Sequence, residues 1–352
     1  MDLHVVNGFL GSGKTTAIIN AIRWLSARGV RTGVITNDKG RHLVDTAYIS
    51  GEGVPVAEVP GGCFRCNAGD FQTRIEALQR DVQPDALFAE SVGSCVDLVG
   101  PVLLPLVESR DHGAMRVTYS VFVDVRLLRR RLLGLPLPFS DNISYIFDQQ
   151  LAEGGLLVLN KADLLTPDEG DELLDLASKR FPDKTLLLQS SLTPDGVAPW
   201  LTALAEGPAL PPALGLDYGS YVAGAAEMAW LDEQIRFAPP EGQGRGYLRH
   251  FIELLLGGLR EAGGPVAHLK LHIQSTEGGT KLSFTALDEP GRHADLPGSL
   301  SGPIIFTINA RVQMDADSLR AIVERALAEA LVGAGVAYHA TGATAFAPTV
   351  PR

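Results

Sequence analysis

The chain is short of cysteine, of positive charge and of long apolar runs. Three cysteines in 352 residues are not expected to act as disulfide staples. The net charge of -11 argues against nucleic acid as a partner, because neutralising phosphates needs a basic face. No apolar run reaches the length of a membrane span, so we expect no membrane association. The start of the chain lacks a basic region followed by an apolar stretch, which predicts a cytoplasmic protein.

What the chain does contain is the composition of a globular protein, with 45% hydrophobic and 20% charged residues. Short apolar runs alternate with helical or loop segments, which predicts an α/β fold with a mostly parallel sheet covered by helices on both faces. The predicted strands of this sheet lie at residues 3–6, 33–36, 86–89, 117–125, 156–159 and 186–188.

The length suits two domains, and a Pro-rich stretch near residue 210 marks a linker. We predict an α/β domain over residues 1–206, a linker over 207–220, a smaller α+β domain over 221–345 and a tail over 346–352. In the second domain the pattern predicts an open antiparallel sheet. Its strands are expected at residues 230–237, 266–273, 281–286 and 304–312, and its helices at 247–259 and from the Asp315 cap to about 332.

Residues 8–15 are Gly-Phe-Leu-Gly-Ser-Gly-Lys-Thr and match a phosphate loop between a predicted strand and a predicted helix. The glycines let backbone N–H groups converge on phosphate oxygens, and the helix N-terminus adds its positive dipole end. We expect Lys14 to hold the β- and γ-phosphates and Thr15 to ligate Mg²⁺. The predicted nucleotide contacts in this region are Gly8, Gly11, Ser12, Gly13, Lys14, Thr15 and Thr16.

The tetrapeptide Asn160-Lys161-Ala162-Asp163 follows an apolar run and predicts guanine recognition. The Asp163 carboxylate can accept from both donors on one edge of guanine, whereas adenine would leave that acceptor without partners. Sites built on such pairing discriminate by roughly 10⁴ or more. We therefore expect GTP in preference to ATP, bound by Asn160, Lys161 and Asp163.

Acidic and glycine residues after the predicted strands are candidates for magnesium binding and nucleotide sensing. Glu90 can hold a Mg²⁺-bound water and Gly93 can offer its N–H to the γ-phosphate; a strand end with a helix cap is the alternative. Ser94 stands where Ras-like proteins have a water-orienting Gln, so we expect slow Mg²⁺-dependent hydrolysis with Lys14, Glu90 and Gly93 as catalytic residues. Asp38 is a second candidate for Mg²⁺, with a solvated acidic loop as the alternative.

Cys63 and Cys66 form a Cys-x-x-Cys pair that can chelate a thiophilic metal ion. A closed structural zinc site needs four ligands, and the chain offers only Cys95 in addition. Such an incomplete site suits a metal that must be released. Arg65 is expected to favour the thiolate forms. A redox pair and structural packing are the alternatives.

His268 and His272 flank Lys270 on one face of a predicted strand. They form either a secondary metal site or a solvated strand face.

Together these motifs resemble the CobW-type GTPases, relatives of the urease and hydrogenase nickel-insertion GTPases UreG and HypB. The resemblance is carried by residues 8–15, by Glu90 and Gly93 in place of Asp-x-x-Gly, by residues 160–163 and by Gly-Gly-Cys at 61–63. It implies a metallochaperone GTPase that holds a divalent metal (cobalt, zinc or nickel) near its switch regions. On hydrolysis such a protein delivers the metal to a client metalloenzyme or cofactor-biosynthesis protein.

Two departures from the family pattern matter. The usual thiol motif is Cys-x-Cys-Cys, and here Arg65 replaces the middle cysteine, although Cys95 can restore a third thiolate. The His-rich loop common between the two domains is missing, which argues against metal storage. A GTP-gated protein chaperone for a metal- or corrinoid-dependent enzyme, carrying no metal itself, is the alternative. The sequence leaves open which metal, which client and whether GTP drives homodimerisation.

Overall fold

The computed structural model describes residues 1–38, 49, 53–60, 62–108, 115–287, 295–298 and 300–348. The chain forms two compact units, and the division along the chain falls between Gly224 and Ala225. The first unit therefore includes residues 207–220, which the sequence prediction places in a linker. Among the described residues, no helix is long and apolar enough to cross a membrane.

The first unit contains a seven-stranded sheet in which every neighbouring pair is parallel, in the order β3-β2-β4-β1-β5-β6-β7. The predicted α/β fold is confirmed, and β3 is a strand that the sequence analysis missed. The strands are β1 (Asp2–Gly8), β2 (Thr32–Asp38), β3 (Val56–Pro60), β4 (Ala86–Glu90), β5 (Arg116–Asp124), β6 (Leu156–Asn160) and β7 (Thr185–Gln189).

Helices cover both faces of this sheet. The helices that precede the division between the units are α1 (Lys14–Ser26), α2 (Ala68–Asp81), α3 (Leu104–Glu108), α4 (Val125–Leu132), α5 (Asp141–Glu153), α6 (Pro167–Arg180) and α7 (Ala198–Ala205). The division falls within α8 (Tyr218–Ala226). A π-helical turn at Val99–Leu103 precedes α3, and short 3₁₀ helices lie at Ala162–Leu164 and Asp195–Val197.

The strands are recognisable in the sequence because the interior of a parallel sheet is buried on both faces. Every residue of β4 and β6 is buried, so these strands are continuous apolar runs up to their last residues, Glu90 and Asn160. β7 lies at the sheet edge and is only half-buried.

The strand order decides where a ligand can bind. Since all seven strands point the same way, the residues that end β1, β4, β5 and β6 share one edge of the sheet. The chain leaves β1 on one side to build β2–β4 and returns on the other side to build β5–β7. Such a reversal of strand order is the topological switch point at which open α/β sheets bind ligands.

The second unit is an α+β fold with an antiparallel sheet, as predicted; the order of its strands is β10-β9-β11-β8-β12, and β12 was not among the predicted strands. One sheet face packs on two helices to form an apolar core. Asp315 caps the second helix by accepting from the Ser318 N–H (2.8 Å). The elements are β8 (Met228–Phe237), α9 (Gly244–Ala262), β9 (Val266–Ser275), β10 (Gly278–Phe284), β11 (Ile304–Gln313), α10 (Ala316–Ala330), a 3₁₀ turn (Val332–Ala334) and β12 (Tyr338–Phe346).

The opposite face of this sheet is polar but buried. His268 and His272 are each only 7% exposed, so their interpretation as part of a solvated strand face is wrong. Arg311 and Asp232 form a fully buried ion pair on the same sheet (2.9 Å). The described residues contain no group of three or more His, Cys, Asp or Glu side chains able to hold a metal ion, so nothing here supports a secondary metal site.

Candidate functional site

The phosphate loop lies between the end of β1 and the start of α1, and its glycines take left-handed backbone angles. Gly11 has φ 74° and Gly13 has φ 93°. The Lys14 ammonium donates to the carbonyl oxygens of Gly8 (2.7 Å) and Phe9 (3.3 Å) and so spans the loop. The Ser12 hydroxyl is buried and has no hydrogen-bond partner among the described residues. It is therefore available to a ligand at this loop that carries hydrogen-bonding oxygen or N–H groups.

Asn160 joins the guanine-recognition tetrapeptide to the phosphate loop. Its side-chain N–H₂ donates to the Ser12 carbonyl (2.8 Å), and its amide oxygen accepts from the Ser191 hydroxyl (2.7 Å). A Cβ at Gly13 would lie 2.3 Å from the Asn160 amide nitrogen, so only glycine fits there. Two motifs separated by nearly 150 residues therefore form one site.

The base-recognition side of the site is fixed by charge pairs. Lys161 has a left-handed backbone (φ 69°), and its ammonium donates to Asp124 at the end of β5 (2.8 Å). Burial acts to raise the pKa of Asp124, but hydrogen bonds from Arg126 and the charges of Lys161 and Arg126 outweigh it and lower the pKa to about 2. The exposed Asp163 carboxylate accepts from the Ser190 hydroxyl (2.6 Å), which orients it.

Two of the three residues predicted to serve Mg²⁺ are in contact. The Thr15 hydroxyl donates to the Glu90 carboxylate (2.8 Å), and both side chains are buried. Hydroxyl and carboxylate oxygens are ligands that Mg²⁺ prefers, so this pair fits the ion. Asp38 ends β2, but its side chain lies outside the described residues, and its predicted role stays a prediction.

Gly93 lies directly against the phosphate loop. A Cβ at this position would be 2.7 Å from the Leu10 side chain and 2.9 Å from the Leu10 backbone nitrogen, so the close approach needs glycine. The carbonyl of Gly93 accepts from the side chain of Gln150 on α5 (3.0 Å). This position agrees with the predicted role of Gly93 in sensing the γ-phosphate. The sequence analysis missed Gln150, whose only signal is its place on the buried face of α5 beside Ile146 and Phe147.

Cys63 and Cys66 lie in a tight turn before α2. The turn is closed by hydrogen bonds from the backbone N–H groups of Cys66 (2.9 Å) and Asn67 (3.0 Å) to the Cys63 carbonyl. The two sulfurs are 2.9 Å apart and form no disulfide. Cys63 is buried and Cys66 is partly exposed. The turn thus presents one accessible thiol with a second behind it.

Cys95 approaches this pair from the segment after β4. The hydrogen bond with Cys66 acts to lower the pKa of Cys63, but the hydrogen bond with Cys95, burial and the charge on Cys95 raise it to about 12. The three thiols are therefore neighbours, as the clustering of cysteines suggested. Even so, among the described side chains no three are arranged as ligands of one metal ion.

At Cys63 the expectation that Arg65 favours the thiolate form is wrong, because the pKa of this thiol is raised. The Arg65 guanidinium donates instead to Asp97 (3.0 Å) and lies over the Tyr218 ring, 5.4 Å from its centroid. Against the lowering effect of the hydrogen bond with Cys66, the hydrogen bond with Cys95 and burial raise the pKa of Cys63. The partner of the Arg65 guanidinium is the Asp97 carboxylate, which lies 32 residues further along the chain and is therefore not part of the motif.

The chain is similar in sequence to proteins of a known family. The family model "CobW/HypB/UreG, nucleotide-binding domain" matches residues 2–187, more than half of the chain. The zinc chaperone YeiR of Escherichia coli (strain K12) is 30% identical over 191 residues, which is 52% of this chain and 53% of YeiR. The zinc chaperone CobW of Sinorhizobium sp is 28% identical over 206 residues, 53% of this chain and 58% of that protein. The chain thus spans about half the length of these curated relatives.

Among solved structures, HypB from Helicobacter pylori in complex with nickel is 17% identical, with a TM-score of 0.40 over 58% of this chain and 85% of that one. The hydrogenase maturation factor HypB from Archaeoglobus fulgidus is 18% identical, with a TM-score of 0.39 over 58% and 89%.

Proposed function

Because the chain belongs to the CobW/HypB/UreG family, we propose that it is a slow Mg²⁺-dependent GTPase that works as a metallochaperone. It holds a divalent metal near its switch regions and delivers the metal to a client metalloenzyme or cofactor-biosynthesis protein. Two curated relatives are named zinc chaperones, so zinc is the first of zinc, cobalt and nickel to test.

The observation that carries this proposal is the hydrogen bond from Asn160 to the Ser12 carbonyl. It joins the guanine-recognition residues and the phosphate loop into one site at the carboxyl edge of the sheet. Asp163 supplies the carboxylate for the guanine edge. The loop N–H groups and Lys14 supply the positive surface for the phosphates.

The remaining catalytic roles follow from what lies beside that loop. Thr15 and Glu90 would hold Mg²⁺, which neutralises phosphate charge when bound. The Gly93 N–H is the sensor of the γ-phosphate. Ser94 replaces the side chain that orients the attacking water in Ras-like proteins, which supports slow turnover and hence a switch rather than a motor.

Nucleotide preference tests the GTPase part. We expect the protein to bind GTP far more tightly than ATP in calorimetric titrations with Mg²⁺, and Asp163→Ala to abolish that preference. Asp171→Ala is the matched control, because Asp171 is also an exposed carboxylate of this region but lies on α6. Equal affinities of the unaltered protein for GTP and ATP would reject guanine recognition.

Zinc titration of the GTP-bound protein tests the carrier part. We expect stoichiometric binding that the Cys63→Ser/Cys66→Ser variant loses, and weaker binding in Cys95→Ser. One observation favours the competing function, a GTP-gated protein chaperone without a metal: the described side chains contain no group of three or more arranged to hold a metal ion. If zinc binds stoichiometrically but equally well in the Cys63→Ser/Cys66→Ser variant, or if zinc does not bind at all, the alternative function is selected.

The client, the cytoplasmic location and a GTP-dependent homodimer belong to this proposal as well. Sedimentation of the protein with and without a non-hydrolysable GTP analogue measures the last of these. A sedimentation coefficient that the analogue leaves unchanged removes the dimer from the proposal.

A further inference from the structure

Residues 93–99 connect the two halves of the proposed site, and we call them the sensor segment. The segment begins at Gly93 beside the phosphate loop and carries Cys95 beside Cys63. It then continues to Asp97, which is paired with Arg65 between the two other thiols. Five residues of chain, from Gly93 to Asp97, thus run from the γ-phosphate sensor to the partner of the thiol turn.

The first half of the sensor segment is held by buried side chains. The Gln150 side-chain N–H₂ donates to the carbonyls of Gly93 (3.0 Å) and Cys95 (2.8 Å). Asn7, at the end of β1, also donates to the Cys95 carbonyl (3.2 Å) and accepts from the Ser91 hydroxyl (2.6 Å). The backbone around Cys95 is therefore fixed from two sides.

The second half is held by a single buried carboxylate. Glu153 accepts from the backbone N–H groups of Asp97 (3.1 Å), Leu98 and Val99 (2.8 Å), and from the Tyr119 hydroxyl (3.1 Å). Gln150 and Glu153 lie one turn apart on α5, so one helix holds both halves. A shift of part of the segment away from α5 would leave buried donors or acceptors unpaired, which is costly, so the segment and α5 are expected to move together.

The only side chain of the thiol turn that is ion-paired with this segment, among the described residues, is Arg65. Its Nε lies 3.0 Å from the Asp97 carboxylate, and both side chains are mostly buried, at 28% and 18% exposure. Asp97 sits in the left-handed region (φ 58°), which fixes the direction of its carboxylate. The ion pair therefore connects the turn that carries Cys63 and Cys66 to the segment that ends at the phosphate loop.

We propose that the Arg65–Asp97 ion pair is the coupling element through which the nucleotide and the metal cargo change each other's affinity. Arg65 is a positioning residue and not a metal ligand. It occupies the position of a potential third thiol of the turn, and its ion pair with Asp97 joins the turn to the sensor segment. This inference rests on the proposed function, because it specifies how that site is regulated.

The physical argument is one of linkage. A ligand shifts a conformational equilibrium only if it binds the two conformations differently, and coupling between two ligands is reciprocal. A nucleotide that displaces Gly93 moves Asp97 with the rest of the segment. Arg65 then either moves the thiol turn or loses its partner, and in both cases the spacing of the three thiols changes.

The test uses the full chain, Zn²⁺ as the metal probe and a non-hydrolysable GTP analogue with saturating Mg²⁺. For each protein, calorimetry gives the Kd of the analogue with and without saturating Zn²⁺, and the ratio of the two is the linkage factor. For the unaltered protein we expect a factor of about 5 to 150, the usual range of allosteric coupling. A general change in either affinity cancels in this ratio, so the factor reports coupling alone.

Three variants form a double-mutant cycle: Arg65→Gln, Asp97→Asn and both together. Asn tolerates the left-handed backbone as Asp does, so Asp97→Asn removes the charge without straining the turn. We expect each variant to bind the analogue and to keep its thermal unfolding midpoint near that of the unaltered protein. Each linkage factor falls below about 2, and the double variant is no worse than either single one, since the two residues act as a pair.

Arg31→Gln is the matched control. It removes another ion pair of the same unit, which Arg31 forms with Asp85 at the same distance (3.0 Å). This pair lies at the N-terminal ends of β2 and β4, whereas the proposed site lies at the carboxyl ends of the strands. The linkage factor of Arg31→Gln should equal that of the unaltered protein.

The outcomes separate this inference from the proposed function. If zinc binds through the thiols and the linkage factor is unchanged in Arg65→Gln and Asp97→Asn, the coupling role is wrong and the metallochaperone proposal stands. Thiol-dependent zinc binding with no linkage in the unaltered protein has the same meaning. If the unaltered protein binds no zinc, or binds it equally well after Cys63→Ser/Cys66→Ser, both are overturned.

Discussion

Replacing Asp124 by Asn should destabilise the nucleotide-binding unit and weaken the interaction that holds the Lys161 side chain in place. The Asp124 carboxylate is buried and receives a two-pronged hydrogen bond from Arg126 (3.0 and 2.7 Å) and one from the Lys161 ammonium (2.8 Å). It also caps α4 by accepting from the Arg126 backbone N–H (2.9 Å). Asn retains the cap and the shape of the side chain, but it replaces the oxygen that accepts from Lys161 with an N–H₂ donor, so the substitution removes the charge together with that acceptor.

The size of the effect follows from the pKa of Asp124. Burial acts to raise it, but hydrogen bonds from Arg126 and the charges of Lys161 and Arg126 lower it from 3.8 to about 2. At about 1.36 kcal/mol per pKa unit, the charge contributes roughly 2 kcal/mol to the free energy of unfolding at neutral pH. Because Lys161 lies two residues before Asp163, the carboxylate proposed to bind guanine, we also expect weaker GTP binding.

The pH dependence has a definite sign. Since the folded pKa lies below the unfolded value, the stabilisation is complete above about pH 4 and is lost as the pH falls through about 2. Urea unfolding followed by circular dichroism should therefore show a difference between the two proteins that is constant from pH 7 to pH 5 and narrows below about pH 4. The transition of the second unit serves as the internal reference.

Either of two results would refute this reasoning: a difference well below 1 kcal/mol at pH 7, or one that persists unchanged at the acid end. Asp81→Asn is the control, because Asp81 also pairs with an arginine, Arg80, but is fully exposed. Solvent screens such a pair, so no resolvable change is expected.

Three further predictions concern other parts of the molecule. Burial lowers the pKa of His4 from 6.5 to about 4, so the folded protein should lose about 3 kcal/mol of stability as the pH falls from 6.5 through 4; His4→Gln, which can still bond Thr118, should flatten that part of the urea-midpoint profile. Gly13→Ala should raise the Kd for GTP at least about tenfold in calorimetry, a loss of about 1.4 kcal/mol of binding free energy, because the new Cβ displaces Asn160. Gly29→Ala should leave this Kd unchanged, because Gly29 has a similar backbone angle (φ 75°) but nothing within 4 Å of the new Cβ. Phe251→Ala should lower the stability of the second unit by about 3–5 kcal/mol, because the ring is 1% exposed and packs on Phe306; an unchanged second urea transition would contradict the assigned core.

Most of the fold could be predicted because strands buried on both faces are continuous apolar runs. The strands that the sequence analysis missed show the limit of that signal. β3 (Val56–Pro60) includes Glu58 and three half-buried positions, and β12 (Tyr338–Phe346) contains Thr and Gly at exposed or half-buried positions. Both are edge strands, where one side of the ladder faces away from the sheet and the apolar pattern is weak.

The thiol region was harder to predict than the nucleotide region. Within the motif, Arg65 is the nearest charge to two cysteines, and proximity along the chain suggested that it stabilises their thiolates. In the structure Arg65 forms an ion pair with Asp97, and the pKa of Cys63 is raised. Electrostatic partners are chosen by distance in space, which a local motif does not contain.

The sequence by itself determined the groups that can do chemistry here: the glycine spacing and Lys14 of the phosphate loop, the tetrapeptide ending in Asp163, and three cysteines. These are local patterns, and their backbone requirements are met within a few residues. Only the tertiary structure decided which of them meet. The strand order places Asn160 on the Ser12 carbonyl and Glu90 on Thr15, and Gln150 and Glu153 hold the segment that runs from Gly93 to Asp97. Periodicity along a chain specifies strands and helices, but the order in which parallel strands assemble is set by long-range packing, so contacts across the sheet edge appear only when the sheet is formed.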